Sequence, residues 1–316
     1  MIVVAGEALV DLIPTPAGSL AIHPGGGPFN TARWLGRLGA DVAFLGSIAA
    51  DPLGQRLRDE LVATGVVVDL VAASELPTTL ALAQLDESGA ARYSFYTERT
   101  SAADLAVDRV ALPASLDALY LGGLGLVLEP IGSTLAGAVA LARERGALVM
   151  LDPNVRPSLI ADRDAYLSRL FAVVAQTDVL KLSTEDVAWL SPGEPPRAAA
   201  RALLERGPSV VLLTAGAAGA TVFTAAAAAG TTVPAVQVDV VDTIGAGDAF
   251  SAGFLSRWLA PWGTFCPTGT ESPPAHVPAQ ALVEATAFAT RVAALACTLP
   301  GATPPPTLDT LPAPGA

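Results

Sequence analysis

The sequence is poor in the residues on which triad hydrolases and many metal sites depend. Its 316 residues include two histidines, His23 and His276, and two cysteines, Cys266 and Cys297. So few histidines argue against a Ser-His-Asp triad and against a histidine-rich metal site. Two cysteines are too few for a disulfide framework, which favours a reducing, cytoplasmic location. We therefore expect any general base to be a carboxylate.

Basic residues and long apolar runs are also scarce. The formal net charge is −12, and Lys181 is the only lysine among 18 Lys and Arg residues. Such a surface is a poor partner for nucleic acid. The longest apolar run, 119–128, ends at Glu129, well short of the roughly 18 residues that a membrane span needs. No basic segment precedes the first apolar run, so we expect neither a signal peptide nor a membrane partner.

Apolar runs alternate with amphipathic runs along most of the chain. This alternation predicts an α/β fold in three layers, a mainly parallel sheet with helices on both faces. The predicted strands are 2–6, 42–46, 118–122, 148–152, 179–182 and 210–214. The predicted helices are 30–38, 53–64, 131–144, 198–206, 247–258 and 279–296.

Two stretches, 9–23 and 78–96, interrupt the alternation with short hairpin-like strands. Turn-forming residues separate the halves of each stretch. They are Pro14, Pro16 and Gly18 in the first stretch and Glu87, Ser88 and Gly89 in the second. We expect the two inserts to pair into a small β-sheet beside the main sheet, as flaps that close over ligands do.

A glycine-rich run leads into the predicted helix 247–258. It reads Asp242-Thr243-Ile244-Gly245-Ala246-Gly247-Asp248. Gly245 and Gly247 let backbone N–H groups converge on an anion, and the helix N-terminus adds its positive end. A carboxylate beside such an anion hole suits a base that takes the proton of a hydroxyl attacking phosphorus. The alternative is a turn in which Asp248 is only a helix N-cap.

A second glycine-rich run precedes the predicted helix 30–38. It reads Gly25-Gly26-Gly27-Pro28-Phe29-Asn30. The glycines allow a ligand to approach the backbone closely, and Asn30 offers a donor and an acceptor to sugar hydroxyls. Asp11, at the root of the small sheet, could accept from two hydroxyls. The alternative is a tight turn with Asn30 as the helix cap.

Polar runs follow three predicted strands, at the edge where open α/β sheets bind ligands. They are Asp152-Pro153-Asn154-Val155-Arg156-Pro157, Lys181-Leu182-Ser183-Thr184-Glu185-Asp186 and Thr214-Ala215-Gly216-Ala217-Ala218-Gly219. Arg156 could clamp a substrate or phosphate, or form a structural ion pair. Ser183 and Asp186 could lie near phosphates and a hydrated Mg²⁺, or form a capping box. The last run could border a nucleotide or be a plain β-turn.

Two familiar nucleotide-binding patterns are absent. The run Gly123-Leu124-Gly125 imitates the start of a dinucleotide fingerprint, but Leu128 stands at the third glycine position. No Gly-x-x-x-x-Gly-Lys-Ser/Thr run occurs in the chain. The sequence therefore excludes a Rossmann dinucleotide site and a P-loop.

Taken in order, the five polar and glycine-rich runs resemble the blocks of the ribokinase-like (PfkB) carbohydrate kinases. The ending Cys297-Thr298-Leu299-Pro300-Gly301-Ala302 also resembles that family, so the resemblance covers nearly the whole chain. It implies an ATP-dependent phosphotransferase with one ribokinase-like domain over residues 1–316. The inserts, about 9–24 and 78–100, would form a lid, and 303–316 would be a Pro-rich tail.

The resemblance also implies roles for individual residues. Asp248 would be the catalytic base, and the backbone amides of Gly245, Ala246 and Gly247 would form the anion hole. The sugar would be held by Asp11, Gly26, Gly27, Asn30, Tyr96, Arg99 and Arg156. The nucleotide would be bordered by Ser183, Thr214, Gly216 and Gly219. Asp186 would reach Mg²⁺ through water, although Ser183 and Asp186 differ in type from the family's Asn-x-x-Glu. Asp242 matches the family's K⁺ region.

Among the subfamilies, the run 6–14 and the Asp-Pro-Asn-x-Arg-Pro block resemble bacterial fructokinases most. This implies phosphoryl transfer to the primary hydroxyl of fructose, giving fructose 6-phosphate. Kinases of 2-keto-3-deoxygluconate or of nucleosides are the alternatives; Arg99 and Arg156 could bind the carboxylate of the sugar acid. A non-catalytic sugar or nucleotide sensor is a third. The open edges of the small sheet could also pair in a homodimer.

Overall fold

The computed structural model describes residues 1–15, 18–85, 91–259, 278–308 and 311–313. Several features of the sequence lie outside the described residues. They are Pro16, the predicted turn residues Glu87-Ser88-Gly89, parts of the Pro-rich tail, and the segment 261–278 apart from its last residue. The Pro, Gly and Thr content of that segment predicts a surface loop, and Cys266 and His276 fall within it.

Within the described residues, strands and helices alternate as predicted. The strands are β1 (Ile2–Ala5), β2 (Leu9–Pro14), β3 (Leu20–Gly25), β4 (Val42–Ala49), β5 (Val71–Ser74), β6 (Leu80–Leu85), β7 (Ala91–Tyr96), β8 (Ala118–Gly122), β9 (Leu148–Asp152), β10 (Val179–Ser183), β11 (Val210–Thr214), β12 (Ala220–Thr224) and β13 (Thr231–Val233). The helices are α1 (Gly27–Arg37), α2 (Pro52–Ala63), α3 (Ile131–Glu144), α4 (Arg163–Val174), α5 (Thr184–Leu190), α6 (Pro196–Ala202), α7 (Ala246–Leu259) and α8 (Ala279–Cys297).

Nine of these strands form the main sheet, in the order β13-β12-β11-β10-β9-β8-β1-β4-β5. Neighbouring strands are parallel from β5 to β11, and β12 and β13 add an antiparallel edge. Because the strands are parallel, their carboxyl ends share one edge of the sheet. The polar runs after β9, β10 and β11 therefore lie side by side.

Helices cover both faces of the main sheet and enclose two hydrophobic cores. Alternate residues of β1 enter opposite cores: Val4 packs with residues of α1, α7 and α8, and Val3 packs with residues of α3 to α6. Each large side chain that is fully buried in these cores contributes roughly 1.5–3 kcal/mol to folding. The three-layer α/β fold predicted from the sequence is confirmed.

The two inserts pair into one separate four-stranded sheet, in the order β3-β2-β6-β7. Each insert is an antiparallel hairpin, and the parallel pairing of β2 with β6 joins them. Leu9, Ala81 and Leu124 form a small apolar cluster where this sheet meets the main domain. This confirms the predicted small sheet; its closure over a ligand remains a prediction.

The clearest differences from the predicted elements concern helices. Helix α1 begins at Gly27, three residues earlier than predicted, because Pro28 suits the first helical turn. Helices α4 and α5 were not predicted. Helix α5 has only seven residues, too few for a clear periodic signal, and is marked mainly by its capping box of Ser183 and Asp186. Helix α4 has 12 residues, but its apolar side chains are not confined to one face.

None of the helices in the described part of the chain has the length and apolar character that a transmembrane span requires.

Candidate active site

A cavity of about 420 Å³ opens where the small sheet, the start of α1 and the start of α7 meet. It lies next to the carboxyl ends of β9 and β10. The residues that line it include Asp11, Asn30, Arg156, Lys181 and Asp248. The fold thus gathers polar side chains from both ends of the sequence into one cleft, the place where an open α/β sheet binds its ligand.

Asp248 lies in the first turn of α7, with 7% of the residue exposed. Its Oδ2 accepts a hydrogen bond of 2.9 Å from Nδ2 of Asn30, which is 218 positions away in the sequence. Its Oδ1 lies on the side of Gly27, 3.3 Å from the point where a Cβ of that glycine would stand. Among the described residues, Asn30 is the only hydrogen-bond donor to this carboxylate, and no helix N–H donates to it. The contacts of Asp248 are therefore those of a cavity group and not of an N-cap.

Asn30 lies inside α1, whose N-cap is Gly26, so it is not a helix cap either. Its Nδ2 holds Asp248, and its buried Oδ1 has no hydrogen-bond partner among the described residues. A buried acceptor without a partner is costly unless a ligand completes it. Asn30 therefore offers an acceptor to a hydroxyl beside the Asp248 carboxylate.

Burial raises the pKa of Asp248 to about 7. The hydrogen bond from Asn30 opposes the rise, the negative charge of Asp152 adds to it, and Lys181 and Arg156 again oppose it. A carboxyl group with a pKa near neutrality can both take and release a proton at working pH. The environment therefore suits Asp248 to general base chemistry.

This pKa predicts the pH dependence of activity. If Asp248 is the base, it must be ionised, so kcat/KM should rise with pH up to about 7 and fall about tenfold per pH unit below it. In Asn30→Ala this rise in kcat/KM should occur at higher pH, because the hydrogen bond that favours the ionised Asp248 carboxylate is lost. A pH–rate profile of both proteins tests this. A wild-type kcat/KM that already rises near pH 4, or a variant whose kcat/KM rises at the same pH as that of the wild type, would contradict it.

The loop before α7 provides backbone donors. Gly245 has a φ of +77°, and a Cβ there would stand 2.6 Å from Cβ of Ala302. The N–H groups of Gly245 and Gly247 have no acceptor among the described residues, whereas N–H of Ala246 donates to the Thr243 carbonyl at 3.2 Å. Two of the three amides implied by the family resemblance are thus free to bind an anion, and the third makes a long turn bond.

The residues expected to hold a sugar fall into two groups. Asp11, Gly26, Gly27, Asn30 and Arg156 line the cavity. Burial raises the pKa of Asp11 to about 6, and the charge of Arg156 opposes the rise. Arg156 donates to Oδ1 of Asn154 at 2.6 Å, so a neighbouring side chain already orients its guanidinium.

Tyr96 and Arg99 do not line the cavity. Tyr96 is 56% exposed, and Arg99 lies beyond the end of β7 with a φ of 52°. Tyr93 and Phe95 line the cavity instead, with ring centroids 6.0 Å apart. Side chains two apart in a strand share a face, so Tyr96 points away from the face that carries Tyr93 and Phe95.

Besides Tyr93 and Phe95, the cavity residues that were not assigned to the site from the sequence include Glu7, Asn154 and Lys181. Glu7 accepts hydrogen bonds from N–H of Gly27 and Gly125, and burial raises its pKa to about 7. Asn154 has a left-handed φ of 44°. A charged residue within or directly after an apolar strand was the available signal for Glu7 and Lys181.

The expected nucleotide residues lie on the same edge of the sheet but outside this cavity. Ser183 and Thr214 are paired at the carboxyl ends of β10 and β11. Gly216 and Gly219 follow in the next turn, both at positive φ. These residues lie along the sheet edge on the side away from Asp248. An extended ligand bound along this edge could reach into the cavity.

The carboxylates expected near metals are already hydrogen-bonded. Asp186 accepts from N–H of Val155 and from N–H and Oγ of Ser183, each at 2.8 Å, so the capping box is present. Asp242 accepts from N–H of Ile244 and of Gly301, which ties the loop before α7 to the ending run. Within the described ranges, no group of three or more His, Cys, Asp or Glu residues could hold a metal ion.

Comparison with known proteins places these features in a family. The family model "pfkB family carbohydrate kinase" matches residues 1–309. A fructokinase of Rhizobium leguminosarum bv. trifolii is 38% identical over 262 residues, which cover 81% of this chain and 79% of that protein.

Two solved structures extend the likeness to three dimensions. A double mutant of fructokinase from Vibrio cholerae O395, in its fructose, ADP and potassium ion bound form, has a TM-score of 0.84 at 25% identity, covering 97% of this chain and 94% of that one. Aminoimidazole riboside kinase from Salmonella enterica, complexed with aminoimidazole riboside and an ATP analog, has a TM-score of 0.82 at 26% identity, covering 96% and 95%. The chain therefore belongs to the PfkB family of carbohydrate kinases and is a sugar phosphotransferase.

Proposed function

We propose that this chain transfers the γ-phosphoryl group of ATP to the primary hydroxyl of fructose, giving fructose 6-phosphate. One observation carries the proposal: the Asp248 carboxylate, held by Asn30, lies in the cavity beside the free N–H groups of Gly245 and Gly247. A base and an anion hole in one cavity serve an alcohol that attacks phosphorus.

Each part of the cavity has a role in this reaction. Asp248 takes the proton of the attacking hydroxyl, and Asn30 keeps the carboxylate in place. The amides of Gly245 and Gly247, with Ala246 between them, bind the charge on the transferring group. Asp11 accepts hydrogen bonds from sugar hydroxyls, and the backbones of Gly26 and Gly27 allow the ring to come close. When the small sheet closes as a lid, water that would hydrolyse ATP is kept out.

The charges in the cavity favour a neutral sugar over a sugar acid. Glu7, Asp11 and Asp248 are three carboxyl groups lining one cavity, and Asp248 must be ionised to act as the base. A fourth carboxylate would be repelled there. Arg156 already donates to Asn154 and Arg99 lies outside the cavity, so the pair that could bind a sugar acid is not assembled.

We expect a substrate panel to rank fructose first. With ATP and Mg²⁺ in a coupled assay of ADP release, kcat/KM for fructose should exceed that for 2-keto-3-deoxygluconate and for a nucleoside by at least about 100-fold, the order that one or two buried polar groups left without partners impose. Higher kcat/KM for the sugar acid would favour the alternative with Arg99 and Arg156. ATP binding without turnover of any sugar would favour the sensor.

For the nucleotide, we propose that ATP lies along the ends of β10 and β11, bordered by Ser183, Thr214, Gly216 and Gly219. Mg²⁺ supplies positive charge to the phosphates when it is bound. Asp186 fits a contact with Mg²⁺ through water, because hydrogen bonds already occupy its oxygens and Mg²⁺ usually keeps several waters. The segment of Asp242 and Gly301 is the proposed K⁺ region, which assays with and without K⁺ test.

We also propose a homodimer through the small sheet, and a cytoplasmic location. Strand β3 is an edge strand that exposes two large apolar side chains, Leu20 at 51% and Ile22 at 41%. Exposed edges with apolar side chains are prone to pair with another strand. Light scattering of the purified protein and of a Leu20→Lys, Ile22→Lys variant tests the dimer: a monomeric wild type would contradict it.

A further inference from the structure

Lys181 is the only lysine of the chain, and it is buried in the middle of β10 with 4% of the residue exposed. The proposed reaction assigns no role to its side chain. A buried ammonium group is costly unless its charge and its donors are matched. Its surroundings therefore indicate what it is for.

One partner of Lys181 is Asp152, at the end of β9. Nζ of Lys181 donates to Oδ2 of Asp152 at 2.7 Å, and Asp152 is 1% exposed. Burial alone would lower the pKa of Lys181, but the charges of Asp152 and Asp186 raise it above its ordinary value. The ammonium group therefore stays charged at any pH at which the enzyme works.

The second neighbour of Lys181 is the loop before α7. Nζ lies 3.1 Å from the point where a Cβ of Gly247 would stand. Lys181 lines the cavity together with Gly245, Gly247 and Asp248. An ammonium group has three donors. Asp152 takes one, and the other two have no acceptor among the described residues. The two remaining N–H donors of Lys181 are thus buried and charged, and they lie beside the N–H groups of Gly245 and Gly247, which also have no acceptor.

We propose that Lys181 is a further catalytic residue, whose ammonium group donates to the transferring phosphoryl group beside the amide of Gly247. The inference rests on the proposed kinase function. As the sugar oxygen forms its bond to phosphorus, its proton goes to Asp248. The bond from phosphorus to the oxygen bridging to ADP breaks, and the electron pair stays on ADP. Lys181 remains protonated throughout and stabilises the charge on the equatorial oxygens, as fixed cations do in phosphoryl transfer.

The competing explanation is that Lys181 acts only through Asp248. Its charge lowers the pKa of Asp248, while the charge of Asp152 raises it, and Arg156 also faces this group. In that case, removing Lys181 would move the rise of kcat to higher pH and leave the maximal kcat at high pH unchanged. A phosphoryl contact would instead lower the maximal kcat itself. The two explanations therefore differ in kcat at pH 9.

The first experiment compares the double variant Lys181→Met, Asp152→Asn with the wild type, in which Asp152 keeps the ammonium group charged. Removing either partner alone would leave the other as an unpaired buried charge, which commonly costs several kcal/mol of stability. The double variant avoids this, and the single variant Asp152→Asn, with its Tm measured alongside, shows what the loss of Asp152 alone does. We expect kcat at pH 9 to be about 100-fold lower in the double variant, with KM for fructose unchanged within threefold. A deficit below tenfold at pH 9 would overturn the proposal.

The second experiment needs no variant. Because Lys181 is the sole lysine, lysine labelled with ¹³C at Cε gives one side-chain signal in the wild-type protein. We expect this signal to shift when ADP, aluminium fluoride and fructose are added together, since this mixture imitates the transferring phosphoryl group, and not with fructose alone. An unchanged signal would overturn the proposal. If the wild type phosphorylates no sugar, the proposed function fails; an active wild type with an equally active double variant refutes only the role of Lys181.

Discussion

Asparagine in place of Asp248 is expected to lower kcat by about 1,000-fold, within the range that a positioned general base supplies. Asparagine has nearly the same shape, and its Oδ1 can still accept the hydrogen bond from Asn30. It has little basicity, so the attacking hydroxyl keeps its proton. Dissociation constants for fructose and ATP, measured by calorimetry, should stay within threefold of the wild type. The coupled assay of ADP release measures kcat.

The exposed residue Asp108 provides the matched control. Asp108→Asn makes the same chemical change on the surface, and its kcat should equal that of the wild type. If Asp248→Asn retains more than a tenth of the wild-type kcat, then Asp248 is not the base. Loss of sugar binding in this variant would assign Asp248 a binding role instead.

The same substitution should stabilise the protein above neutral pH. The pKa of Asp248 is raised from 3.8 in the unfolded state to about 7 in the folded state. The folded protein therefore binds the proton more tightly, and stability is lost as pH rises from about 4 through about 7. Asparagine removes this loss, so at pH 8 the variant should have a higher Tm than the wild type. At pH 4 the difference should largely vanish.

Alanine in place of Gly245 is expected to lower both activity and stability. The backbone there has a φ of +77°, and the new Cβ would stand 2.6 Å from Cβ of Ala302. A left-handed backbone costs an alanine roughly 1–2 kcal/mol, and the clash must also move the loop. Since the free N–H of Gly245 belongs to that loop, we expect kcat to fall about 100-fold, the lower end of the effect of losing one anion-hole donor.

Gly39 allows the two causes to be separated. Its φ is +78°, nearly that of Gly245, but a Cβ there would meet no atom within 4 Å. Gly39→Ala should therefore lower Tm by the backbone cost alone and leave kcat unchanged. If Gly245→Ala matches Gly39→Ala in kcat, the position of this loop does not matter for the reaction.

Patterns that are local along the chain were read reliably from the sequence. The strands 118–122, 148–152 and 210–214 and the helix 131–144 have the predicted bounds. Their apolar periodicity and flanking turn residues act over a few neighbours and depend little on the rest of the chain. The glycine-rich run was likewise predicted to lead into a helix starting at 247, and α7 begins one residue earlier, at Ala246.

The face of a short strand was harder to assign. Tyr96 was expected at the sugar, whereas Tyr93 and Phe95 line the cavity. All three belong to β7 and are aromatic, and a shift by one residue exchanges the two faces of a strand. The pairing of β7 with β6, residue by residue from Leu80↔Tyr96 to Leu85↔Ala91, determines which side chains of β7 face the cavity. No local pattern in the sequence contains that pairing.

The amino-acid sequence by itself determined the α/β class, the acidic surface and the residue types available for chemistry, because these follow from composition and short-range periodicity. Only the tertiary structure decided that Asn30 holds Asp248 and that Lys181 lies against Gly247. Those contacts depend on the order of strands in the sheet and on the packing of α1 against α7. Both are set by contacts between segments far apart in the chain, which no local pattern encodes.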